Sequence, residues 1–152
     1  GLVLINTLRK PSPRLDWINR AMVNAAKLGG SALIMDMGMP VIASPKFLNK
    51  VKSNALVFEN YKPLDKNDGI FKLMEGSLST NWSFDWSKIN VPTLIMTGHL
   101  DKMFRIPEDI EDLVKKIKNP ITLEFPNCGH LIPLEEPEQF SDHIIKFAKN
   151  LN

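Results

Sequence analysis

The sequence predicts an α/β protein, and three observations carry that prediction. Three short apolar runs have strand length, an amphipathic segment lies between the second and third of them, and a long helical stretch separates the first from the second. The runs are LVLIN at 2–6, TLIMTG at 93–98 and ITLEF at 121–125. Each is too short for a helix and is bounded by turn-forming residues, as buried strands of a parallel sheet are.

The first run starts at GLVLIN, one residue into the chain. An apolar, β-branched run so near a terminus reads as a buried strand whose preceding element is missing, with an edge open to self-association. Residues 8–88 follow as a mainly helical insertion with no clear strand. In SPRLDWINRAMVNAAKLGG, Ser12 is a candidate N-cap, Pro13 suits the first helical position, Leu15, Ile18, Met22 and Ala25 form a stripe, and Gly29 is a stop. SALIMDMGMP and NDGIFKLMEG add two shorter helical segments. The methionines and aromatics here (Met22, Met37, Met39, Phe47, Phe58, Phe71, Met74, Trp82, Phe84, Trp86) fit either plain core or a deformable pocket for an apolar group.

The segment IPEDIEDLVKKIKN has Pro107 near its start, acidic residues in its first turn, and Lys115, Lys116 and Lys118 in its last. Ile110, Leu113, Val114 and Ile117 recur at helical spacing, so this is an amphipathic helix with a complemented dipole. Strand, helix and strand in this order make a βαβ unit with two parallel strands, whose C-terminal ends share an edge. The final segment, from Pro137 on, puts Phe140, Ile144, Phe147 and Leu151 on one stripe that should cover a sheet face.

Composition excludes several classes. With 152 residues, 43% hydrophobic and 24% charged, the chain is in the globular range. Its 19 basic and 17 acidic residues are spread along the sequence, so no basic stripe argues for nucleic acid. No run approaches the roughly 18 apolar residues of a membrane span, and no signal-peptide series opens the chain. A single cysteine, Cys128, fits a reducing compartment, and cytoplasm is the expected location.

Two residues carry the candidate chemistry. Asp101 follows the second strand on a turn opened by Gly98, and His130 holds the matching place after the third. Adjacent βα loops would thus bring a carboxylate and an imidazole to one sheet edge, where open α/β sheets place their sites. Such a carboxylate fixes the imidazole tautomer and stabilises the imidazolium formed when the histidine takes a proton from a hydroxyl nucleophile.

With these residues in place, INVPTLIMTGHLDKMF followed by FPNCGHLIPLEEPEQFSDHIIKFAKNL resembles the C-terminal part of an α/β-hydrolase-fold enzyme. In that family the acid follows the seventh strand, the histidine follows the eighth, and the chain order is nucleophile, acid, histidine. The resemblance implies that 1–7 is the sixth strand, 8–88 a helical lid, and 89–152 the core part with Asp101 as triad acid and His130 as general base. Some members carry the acid after the sixth strand, where this chain has Asn6 and Thr7. The implied activity is serine hydrolysis of a small ester or related acyl substrate with an apolar group.

The family nucleophile sits in a G-x-S-x-G elbow, and none of the serines here (Ser12, Ser31, Ser44, Ser53, Ser77, Ser79, Ser83, Ser87, Ser141) has glycine at both flanking positions. The elbow and oxyanion hole would lie before Gly1. Cys128 is a conceivable thiol substitute, but two residues from His130 on the same turn its side chain is expected to pack against the sheet. His99 could neighbour the site, and His143 is expected to be a surface or flanking residue. No metal-ligand spacing and no phosphate-binding glycine motif occurs, so no metal or cofactor is expected. The alternative reading is a catalytically inert α/β-hydrolase module that self-associates through its strand edge or lid, or binds a partner.

Overall fold

Strand register decides where the loops of this chain end up. The computed structural model describes residues 1–7 and 10–151; Leu8, Arg9 and Asn152, at the limits of two of the expected segments, lie outside them. β1 (Leu2–Ile5), β2 (Thr93–Gly98) and β3 (Ile121–Phe125) form one parallel sheet in the order β1-β2-β3. Ile5 pairs with Met96 and Gly98 with Phe125, so the three strands finish along one edge.

β2 is the central strand and is buried at every position, which is why its sequence runs apolar without alternation. Its side chains still alternate between the two faces. Leu94 and Met96 pack with Phe125, Cys128, Ile132 and Phe147 on one side, while Ile95 packs with Leu113 and Ile117 on the other. The first face is covered by α6 (Pro137–Lys149), whose Phe140, Ile144 and Phe147 lie against the core as the stripe predicts. The second is covered by α4 (Pro107–Lys116), with Glu108 and Asp109 in its first turn and Lys115 and Lys116 in its last. A one-turn helix, α5 (Ile132–Glu135), precedes α6 and is too short to show any periodicity in sequence.

The helical stretch contains α1 (Pro13–Ile42), α2 (Pro45–Val51) and α3 (Gly69–Gly76), with two short 3-10 turns between α2 and α3. Ser12 caps α1, its Oγ accepting the Leu15 N–H at 3.1 Å. The stop expected at Gly29 is instead a kink one residue later. Gly30 has φ 66° and ψ −156°, and the helix resumes through SALIMDMGMP. Only glycine suits that place, because a Cβ there would stand 2.1 Å from the Lys62 carbonyl oxygen. Asp68 caps α3 by accepting the Ile70 N–H at 2.7 Å.

The chain divides into two compact units. One comprises the sheet, Val41–Phe47 and the described residues from Asp85 onward; the other holds the helical residues up to Pro40 and Leu48–Phe84. Val41–Phe47, inside the expected insertion of 8–88, therefore belongs with the sheet. In the helical unit Val23, Ala26 and Phe71 are buried, whereas Met37, Phe58 and Phe84 are exposed and form no core. Met22, Leu73, Met74 and Trp82, with Asn19, Ser77 and Thr80, line a cavity of about 290 Å³. No helix among the described residues is long and apolar enough to cross a membrane.

Leu113 is fully buried beneath α4. Leu113→Ala should lower unfolding free energy by about 2–5 kcal/mol, read from the shift in urea midpoint at unchanged slope. A loss below about 1 kcal/mol would show that the α4 face does not pack as described.

Candidate active site

β2 ends at Gly98 and the chain turns at once, because Gly98 and Gly129 let two loops approach more closely than side chains would allow. A Cβ on Gly98 would stand 1.9 Å from the Gly129 carbonyl oxygen, and one on Gly129 would stand 2.0 Å from that of Ile42. The loops are then joined by backbone hydrogen bonds: the His99 N–H donates to Phe125 O at 3.0 Å and the Leu100 N–H to Cys128 O at 2.8 Å. Three residues past Gly98 the chain buries Asp101, which is 2% exposed.

Asp101 divides its two oxygens between two tasks. Oδ1 accepts the N–H groups of Met103 at 3.1 Å and Phe104 at 2.9 Å, which locks the carboxylate to its own turn. Oδ2 lies 2.6 Å from Nδ1 of His130. A carboxylate oxygen at that distance takes a hydrogen bond from Nδ1–H, leaving Nε2 as the basic nitrogen. The imidazole side chain is 27% exposed and the carboxylate 1%, so the imidazole reaches the surface while the carboxylate is hidden beneath it. The Phe104 ring stands 5.0 Å from the imidazole, centroid to centroid, and flanks it.

The two residues singled out in sequence are therefore brought together by β2 and β3. The other histidines are not part of this pair. Nε2 of His99 lies 2.9 Å from Glu124 Oε2 on β3, and His143 sits edge-on to Phe125. Cys128 is 1% exposed in the core beneath α6. Burial, reinforced by the nearby Glu135 and Glu136 carboxylates, pushes its thiol up to about 11.

Two further residues build the site and were not found in the sequence. Asn6, just past β1, accepts the Gly98 N–H on Oδ1 at 2.9 Å and donates from Nδ2 to the His130 carbonyl at 2.8 Å. Its φ of 48° lies in the left-handed region that asparagine tolerates better than most residues, which was the one available signal. Glu135 is 8% exposed, and its carboxylate accepts N–H groups from Ser44, Gly129 and Leu131. In LEEPEQF it looks like one of several acidic residues at a helix start, and nothing in the sequence marks it as buried.

No protein-family model matches the chain. The uncharacterized hydrolase YugF of Bacillus subtilis (strain 168) is 31% identical over 114 residues, covering 67% of this chain and 40% of that protein. Among solved structures, MGS-M2, an α/β hydrolase enzyme from a Medee basin deep-sea metagenome library, superposes with a TM-score of 0.79 at 25% identity, over 97% of this chain and 55% of its own. A thermophilic esterase from Thermogutta terrifontis gives 0.76 at 22% identity, over 99% and 56%. The chain thus spans about half the length of these relatives, and nearly all of it is matched. Three parallel strands with flanking helices, a mainly helical insertion after the first of them, and this pattern of coverage together identify the chain as the C-terminal part of an α/β-hydrolase fold.

Proposed function

We propose that the chain supplies the acid and the histidine of a serine hydrolase that cleaves a small ester or related acyl substrate. The observation that carries this reading is the 2.6 Å contact between buried Asp101 and partly exposed His130, held on adjacent βα loops. The esterases among the structural relatives support the acyl-ester class. The methionine-bearing cavity of the helical unit supports an apolar group on the substrate, and that unit is proposed to be a lid.

In this reading His130 Nε2 takes the proton of a serine hydroxyl as the serine oxygen bonds to the acyl carbon. The tetrahedral intermediate collapses with cleavage of the bond to the leaving oxygen, which takes the proton back from Nε2. Water then repeats the sequence on the acyl-enzyme, giving acid and free serine. Asp101 holds the tautomer that keeps Nε2 basic and stabilises the imidazolium between the two transfers. No serine of this sequence lies in G-x-S-x-G, so the nucleophile and oxyanion donors are assigned to a segment outside these 152 residues. The free edge of β1 is where such a segment would add the next strand.

Cys128 does not fill that role. Its thiol is buried, and a group titrating at about 11 is ionised to about one part in 1,000 at pH 8. Folded chain should accordingly react with iodoacetamide at pH 8 at least about 100-fold more slowly than chain unfolded in urea, where the thiol has its ordinary value near 8.5. Comparable rates would restore Cys128 as a nucleophile.

The main test is made on the enzyme containing both this chain and the serine elbow. His130→Ala should lower kcat on an activated ester by about 10⁴–10⁶, with KM changed little, because proton transfer is lost and binding is not. A wild-type kcat in that variant would remove His130 from the mechanism.

A further inference from the structure

Glu135 is a buried carboxylate that no step of the proposed hydrolysis uses. Among the described residues no cation pairs with it; backbone N–H groups satisfy it instead. Oε1 accepts from Gly129 at 3.0 Å and from Leu131 at 3.2 Å, and Oε2 accepts from Ser44 at 2.9 Å and shares the Gly129 hydrogen at 3.1 Å. One carboxylate thus grips the residues on both sides of His130 and ties them to the turn after α1.

The backbone groups of His130 itself are taken up by other partners. Its N–H donates to Ile42 O at 2.5 Å, and its carbonyl accepts from Asn6 Nδ2 at 2.8 Å. The peptide plane after His130 is pinned at both its groups, by Glu135 on the Leu131 N–H and by Asn6 on the His130 carbonyl, the plane before it by Ile42 O on the His130 N–H, and the next plane back by Glu135 on the Gly129 N–H. The direction in which the His130 Cα–Cβ bond points is set by those planes, and the 2.6 Å approach to Asp101 depends on that direction. Displacing a catalytic group by about 1 Å costs on the order of 100-fold in rate.

We infer that Glu135 is a positioning residue for His130, acting through the backbone of Gly129 and Leu131 to hold the imidazole on Asp101. The inference rests on the reading of His130 as the proton-transferring group. A carboxylate is required because both oxygens must accept. Glutamine has the same size, but its NH₂ would face at least one of these N–H groups, donor against donor.

The test reads the imidazole directly and needs no hydrolysis. In this chain the hydrogen-bonded Nδ1 proton of His130 should give a resolved downfield resonance in proton NMR, absent from Asp101→Asn, which lacks the second carboxylate oxygen. In Glu135→Gln the slowly exchanging amides of β2 should persist, while the His130 Nδ1 proton moves upfield or exchanges with water at least about tenfold faster. A Glu135→Gln chain with wild-type shift and exchange overturns the inference, as does absence of the resonance from the wild type. Should Glu135→Gln lose the β2 protection, Glu135→Asp decides, because it keeps the charge but falls one methylene short. Faster exchange in a folded Glu135→Asp supports the assignment, and a wild-type signal overturns it. Failure of both variants to fold also overturns it, since Glu135 would then serve the fold and not His130 in particular. A wild-type kcat in His130→Ala leaves this NMR result intact, so the two failures are distinguishable.

Discussion

The buried hydrogen bond between Asp101 and His130 is the constraint to which the rest of the sheet-bearing unit is fitted. It needs two loops that cross within backbone contact, and this is possible only where Gly98 and Gly129 omit their side chains. It also needs β2 and β3 to be parallel neighbours in the register that sets Gly98 beside Phe125. A slip of one residue would turn Leu94 and Met96 away from the face they share with Phe147 and separate the two loops. Hydrophobic register and site geometry are therefore the same requirement, met by the same strands.

A carboxylate as deeply buried as Asp101 would be costly if left alone, because an unpaired buried charge loses several kcal/mol of hydration. Three donors offset that cost: the N–H groups of Met103 and Phe104 and the imidazole itself. Hydrogen bonds to charged groups contribute about 1.5–3 kcal/mol each, so the three together are of the right size. Glu135 solves the same problem with backbone N–H groups only. Both carboxylates are thus satisfied by hydrogen bonds from the loops they organise.

The strands and the pair were legible in sequence because each left a periodic or positional signal. TLIMTG and ITLEF are bounded apolar runs, and Asp101 and His130 stand in the loops that directly follow them. The kink at Gly30 was missed by one residue because two glycines in a row give composition a choice that only the left-handed φ and the Lys62 carbonyl resolve. Asn6 and Glu135 were not legible as site residues, since their partners are backbone groups of segments distant in sequence, and backbone groups have no letters. Met37, Phe58 and Phe84 show the opposite failure: apolar letters on a helical stretch looked like core, and these three are exposed.

These differences have one physical source. Sequence reports which side chains prefer water, and so it reports strands, helix faces and a core; it does not report which buried backbone groups still need a partner. In the loops after β2 and β3 that need is large, because the chain leaves the sheet while still buried. Asn6, Asp101 and Glu135 are the side chains that meet it. A search for the residues that orient a histidine of this kind should begin with the N–H and carbonyl groups of its own turn and ask which distant side chain answers them. Here the answers are a residue just past β1 and the last residue of a one-turn helix, places that hydrophobic periodicity passes over.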